Sequence, residues 1–124
     1  MPKDALTGRR ILVVEDEYFL ADELDRAVEA AGAVVIGPVP SVEAALDLLV
    51  GEEAPDAAVL DVNLGGALAY PVADALLERG VPFVFTTGYD QSSLPERFAA
   101  MPRLQKPAET RVILGEVRQL LGAA

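Results

Sequence analysis

Short apolar runs alternate along the chain with stretches in which apolar residues recur every three or four positions. Ile11-Leu12-Val13-Val14 is apolar throughout and stops at Glu15-Asp16. Leu20, Leu24, Ala27, Val28 and Ala31 then follow at helical spacing, with Gly32 as a stop. Ala33 to Ile36 reads as a second strand closed by Gly37-Pro38. Ser41 is suited to cap a helix carrying Val42, Ala45, Leu46 and Leu49. Ala57 to Leu60 is a third strand ending at Asp61, and Gly65-Gly66 marks a loop before a helix over about Pro71 to Arg79. Val81 to Phe85 is a fourth strand ending at Thr86-Thr87-Gly88. Pro95 to Ala100 is at most a short helix, because Pro102 limits it. Arg103-Leu104-Gln105 is a short fifth strand, and Ile113, Val117, Leu120 and Leu121 form one face of a last helix.

Strands without polar alternation are buried on both faces, which calls for a parallel sheet with helices on each side. Five β-α units fit one domain over residues 1–124, with a core from about residue 9 to 121. Met1 to Thr7 and Gly122-Ala123-Ala124 are expected to be loose.

Composition narrows the chemistry. Ten basic against twenty acidic residues give a formal charge of −10, which disfavours nucleic acid and anionic membranes as partners. There is no cysteine and no histidine, so thiol nucleophiles, Ser-His triads and His- or Cys-based metal sites are excluded. The N-terminus lacks the apolar run of a signal peptide, and no uncharged stretch reaches the ~18 residues of a membrane span. A soluble, cytoplasmic protein is expected.

In an open parallel sheet, ligands bind beyond the carboxyl ends of the strands. Those ends carry Glu15 and Asp16, Asp61, Thr86 and Thr87, and Lys106. Each piece alone has a plain structural explanation, such as a helix cap or a surface turn. Together they place three carboxylates, hydroxyls and a lysine on one edge. Clustered carboxylates repel unless a proton or cation intervenes. A hard divalent cation such as magnesium, which keeps waters and takes a phosphate oxygen, suits this set. A carboxylate can also attack phosphorus and form an aspartyl-phosphate. The backbone phosphate cradle of a nucleotide site, Gly-x-Gly-x-x-Gly or Gly-x-x-x-x-Gly-Lys, is missing.

From about Arg9 to Leu121 the chain resembles the receiver domains of two-component response regulators. The residues that carry the likeness are Ile11 to Glu17, Val59-Leu60-Asp61, Thr87-Gly88 and Lys106-Pro107. The resemblance implies a flavodoxin-like, doubly wound five-stranded sheet in the order 2-1-3-4-5. It implies that Glu15 and Asp16 hold magnesium together with Asp61 and the Asn63 backbone carbonyl, and that Asp61 is the phosphoacceptor. Thr87 corresponds to a switch hydroxyl and Lys106 to the lysine that pairs with a phosphoryl oxygen, followed by a cis peptide bond to Pro107. Two departures stand out. Val62-Asn63-Leu64-Gly65-Gly66 replaces the common Met-Pro after the phosphoacceptor, and Leu104 takes a position where an aromatic switch residue is expected. Phe85-Thr86-Thr87-Gly88-Tyr89 resembles the Phe-Ala-Thr-Gly-Tyr stretch of the FAT GUY receivers, which makes Tyr89 the substitute switch candidate.

The expected function is that of a single-domain response regulator. It would be phosphorylated by a histidine kinase or a histidine phosphotransfer protein and act on a downstream protein target, with weak homodimerisation left open. The alternatives are a receiver fragment of a larger regulator and a pseudo-receiver that binds partners without phosphorylation. Phosphorylation is expected to act by ordering the polar segment from Thr87 to Pro102, whose apolar anchors look few.

Overall fold

A computed structural model describes residues 4–51, 53–88 and 94–122. The order is β1 (Arg10–Val14), α1 (Tyr18–Ala30), β2 (Val34–Val39), α2 (Val42–Leu49), β3 (Ala57–Asp61), β4 (Asn63–Leu64), β5 (Ala67–Leu68), α3 (Tyr70–Glu78), β6 (Phe83–Thr87), a 3-10 turn (Glu96–Phe98), β7 (Arg103–Gln105) and α4 (Thr110–Gly122). The main sheet is parallel in the order β2-β1-β3-β6-β7. That is the expected 2-1-3-4-5 arrangement once the small β4–β5 hairpin is set aside.

Pleating divides the sheet residues between two layers. Leu12, Val14, Ala58, Leu60, Phe83 and Phe85 pack against α2 and α3. Ile11, Val13, Ala57, Val59 and Val84 pack against α1 and α4, together with Leu24, Val28, Ile113 and Val117. β3 and β6 are buried along their whole length, which is why they read as unbroken apolar runs. Ser41 caps α2 as expected, its hydroxyl accepting from the Ala44 amide at 3.1 Å.

Four local expectations change. β2 does not stop at Gly37-Pro38 but runs to Val39. The irregularity is absorbed by a register shift opposite β1 between Leu12 and Val14. Gly65-Gly66 is the two-residue turn of an antiparallel hairpin, Asn63↔Leu68 and Leu64↔Ala67. Both glycines have positive φ, 63° and 96°, which a tight hairpin turn of this kind demands.

The described part of the N-terminal segment is not loose. Leu6 is fully buried in the α1/α4 layer, and the Leu6 and Thr7 amides donate to the Asp4 side chain and carbonyl. Asp4 also receives a two-pronged contact from Arg118 of α4, at 2.9 and 3.0 Å. That guanidinium holds the Asp4 carboxyl below its usual value. At the other end of the chain, Gly122 completes the last turn of α4, and Ala123 and Ala124 lie outside the described residues.

Between β6 and β7 the described residues are anchored too. Phe98 is buried, and its ring centroid lies 5.5 Å from Phe85 and 5.6 Å from Tyr70. Leu94 and Met101 pack on the same layer. Residues 94–102 therefore do not fit the poorly anchored segment expected from the sequence. Tyr89 and Asp90 to Ser93 lie outside the described residues.

Candidate functional site

The carboxyl edge of the sheet assembles the expected residues. Asp61 is the last residue of β3 and Thr87 the last of β6. Glu15 and Asp16 follow β1, and Lys106 follows β7. Glu15, Asp16 and Asp61 each offer a carboxylate oxygen, all within 4.8 Å of one another. Glu15 and Asp61 are buried, whereas Asp16 is exposed. The turn glycine of the β4–β5 hairpin comes close as well: a Cβ on Gly65 would stand 3.7 Å from Asp16 Oδ2.

Lys106 holds this acidic group together. Its ammonium donates to Asp61 Oδ2 at 2.8 Å and lies 3.2 Å from Glu15 Oε1. β6 lies between β7 and β3, so the lysine side chain reaches across the end of β6. The Lys106 backbone amide donates to the Thr87 carbonyl at 2.7 Å, which ties the lysine to that strand end. The Lys106–Pro107 bond is cis, as expected. Asp61 Oδ1 accepts from the Asn63 amide at 3.1 Å, and the Asn63 side chain accepts from the Gly66 amide at 2.7 Å. The segment after Asp61 is thus fixed by local hydrogen bonds in place of the Met-Pro pair.

The electrostatics follow from burial and proximity. Burial raises the Glu15 carboxyl to about 7. The Glu17 amide pulls it down, Asp61 pushes it up further, and Lys106 offsets part of the rise. Burial alone would lower Lys106, but its hydrogen bond to Asp61 and the two carboxylate charges hold it above its usual value. Three carboxylate oxygens gathered this closely repel one another, and a hard divalent cation that displaces the Glu15 proton would relieve that repulsion.

A pH dependence follows. Glu15 titrates near 4.5 in the unfolded chain and near 7 when folded, so the folded state holds the extra proton between those values. Its stabilising contribution is complete below about 4.5 and is lost as pH rises through about 7. Thermal melts in EDTA should therefore show stability falling over that window. Magnesium competes with the proton, so its stabilising effect should grow as pH rises through 7. A magnesium effect independent of pH, or unchanged by Asp16→Asn, would contradict this donor set.

The two threonines part company. β3 and β6 pair Asp61 with Thr86, and pleating puts both on the α1/α4 side with Val59 and Val84. The same alternation sends Thr87 to the side of Phe83 and Phe85. Leu104 pairs with Thr86 and packs on the α1/α4 layer. It therefore does not share a face with Thr87, and a switch that swings position 104 against Thr87 has no support in this arrangement. Thr86, which looks like ordinary strand sequence, is 1% exposed, and its Oγ1 has no hydrogen-bond partner among the described residues. It lines a cleft of about 430 Å³ with Phe19, Leu20, Lys106, Pro107 and Ile113. Its place at the end of the fourth strand was legible in the sequence, but its burial without a partner was not.

No family model matches the chain. The chain is 42% identical to SdrG of Sphingomonas melonis, whose solution structure it matches over 94% of its own length and 98% of that chain, with a TM-score of 0.76. A response regulator receiver protein from Sinorhizobium medicae is 25% identical, covered over 94% and 96%, with a TM-score of 0.78. Among curated proteins, the sensory transduction protein LytT of Bacillus cereus is 36% identical over 88 residues, which are 68% of this chain and 35% of that protein. The chain spans about a third of the length of this curated relative. No helix among the described residues is long and apolar enough to cross a membrane.

Proposed function

This chain belongs to the response-regulator receiver family, and on that footing we propose that Asp61 accepts a phosphoryl group from a histidine kinase or a histidine phosphotransfer protein. Residues 1–124 contain no histidine, so the phosphohistidine lies outside this domain. A carboxylate oxygen of Asp61 attacks phosphorus as the nitrogen–phosphorus bond of the donor breaks. The donor imidazole leaves with the electron pair of that bond and is restored by protonation. Lys106, already 2.8 Å from Asp61, balances the charge on the transferring group. Glu15, Asp16 and Asp61, with the Asn63 carbonyl, would hold magnesium. The ion, when bound, neutralises negative charge on the phosphoryl oxygens. Thr87 is the hydroxyl that follows the phosphoryl group when the domain switches.

The observation that carries this reading is the convergence of three carboxylates and one lysine at three strand ends of the matching fold. The Phe85-Thr86-Thr87-Gly88-Tyr89 stretch supports placement in the FAT GUY subgroup, with Thr86 in the alanine position. We place the domain in the cytoplasm, where it signals by contact with another protein. Incubation with magnesium and acetyl phosphate, followed by intact mass, should show the gain of one phosphoryl group. No gain under conditions that preserve acyl phosphates would overturn the reading.

A further inference from the structure

We propose that Thr86 is a second hydroxyl of the phosphoryl site, unpaired at rest and donating to the phosphoryl group once Asp61 carries it. The inference rests on Asp61 being the phosphoacceptor and adds a contact that the acidic set and Lys106 do not supply.

Buried side-chain hydroxyls are almost always satisfied, and an unsatisfied one costs free energy that the fold must recover elsewhere. Thr86 Oγ1 is buried without a partner among the described residues. Its position is specific. Thr86 is the register partner of Asp61 on the adjacent strand and faces the same layer. Lys106 spans from β7 over β6 to Asp61, so the residue at the end of β6 on this face lies between the lysine's origin and its target. Thr86 and Lys106 line the same cleft.

At rest, both Asp61 oxygens accept from other groups and neither accepts from Thr86. Asp61 Oδ2 is taken by the Lys106 ammonium and Asp61 Oδ1 by the Asn63 amide. A phosphoryl group on Asp61 adds three acceptor oxygens to this neighbourhood and draws Lys106 onto them. A hydroxyl with no competing partner then gains a charge-assisted hydrogen bond without breaking an old one. Thr87, on the other side of the strand by alternation, cannot substitute for it from the same direction.

The test compares Thr86→Val, which replaces the hydroxyl by a methyl of similar size, with Thr86→Ser, which restores it. The probe is beryllofluoride with magnesium, read by titration and by melting temperature. Thr86→Val should melt at or above wild type at rest, because an orphan donor has been removed. Its dissociation constant for beryllofluoride should rise on the order of tenfold, the range of a hydrogen bond to a charged group. Thr86→Ser should bind beryllofluoride like wild type. The inference is overturned if Thr86→Val binds beryllofluoride as wild type does. It is also overturned if the variant melts lower at rest and Thr86→Ser does not restore binding, since the residue is then only packing. If wild type gains no phosphoryl group from acetyl phosphate, the parent reading and this one fall together. If wild type gains it and only the Thr86 variants behave alike, this inference alone fails.

Discussion

Asp61→Asn is expected to gain no phosphoryl group from acetyl phosphate or from any phosphohistidine donor, while keeping the fold. The substitution preserves shape and removes the nucleophilic oxygen. Asp61 lies at the end of a strand buried along its whole length, so the asparagine side chain is held in the same place. Glu15 is the other buried carboxylate, but it comes from β1 and its Oε2 already accepts from the Glu17 amide at 3.0 Å. Magnesium affinity should fall by at least the ~10–100-fold that losing even an outer hydrogen-bond partner of a metal site costs. Lys106 keeps Glu15 as a partner at 3.2 Å, so circular dichroism should be unchanged. Intact mass after acetyl phosphate treatment checks the first outcome and isothermal titration the second. A variant that still gains a phosphoryl group would move the acceptor away from Asp61.

Leu6→Ala should destabilise the protein by about 2–5 kcal/mol, the usual cost of emptying a fully buried leucine site. In a domain of this size the melting temperature should drop by about 10 °C or more. The side chain is wholly buried in the α1/α4 layer among residues such as Ile11, Leu24 and Val28. Its neighbours have little room to collapse, because the turn before it is held by Asp4, and Asp4 by Arg118. Asp4→Asn should cost less, since that pair is partly exposed and is screened by salt. If Leu6→Ala melts within a degree or two of wild type, the first turn is not part of the core.

This residue also marks where the sequence stops being legible. The strands were readable because both faces are buried and nothing polar interrupts Ile11 to Val14 or Ala57 to Leu60. The acidic edge was readable because several such runs end in complementary groups, although each group alone has an ordinary use as a cap or turn residue. Leu6 stands alone in a polar stretch, where no period exists to signal burial, and its turn is held by Asp4, whose partner Arg118 lies 114 positions further along the chain. Gly65-Gly66 announced a turn but not the hairpin, since strands of two residues carry no alternation. The separate roles of Thr86 and Thr87 depend on the register of β6 against β3, which only the assembled sheet defines. Position 104 illustrates the same limit: its spacing from Lys106 was visible, but the face it occupies was not.

The reach of Lys106 over β6 has a consequence for folding. The contacts that complete the site join residues 45 and 91 positions apart in the chain. Long-range closures of this kind form late, after the local segments have ordered. Until residue 106 has joined the sheet edge, the acidic cluster lacks the ammonium that bridges Glu15 and Asp61, so the end of β7 and not the carboxylates themselves decides when the cluster is neutralised.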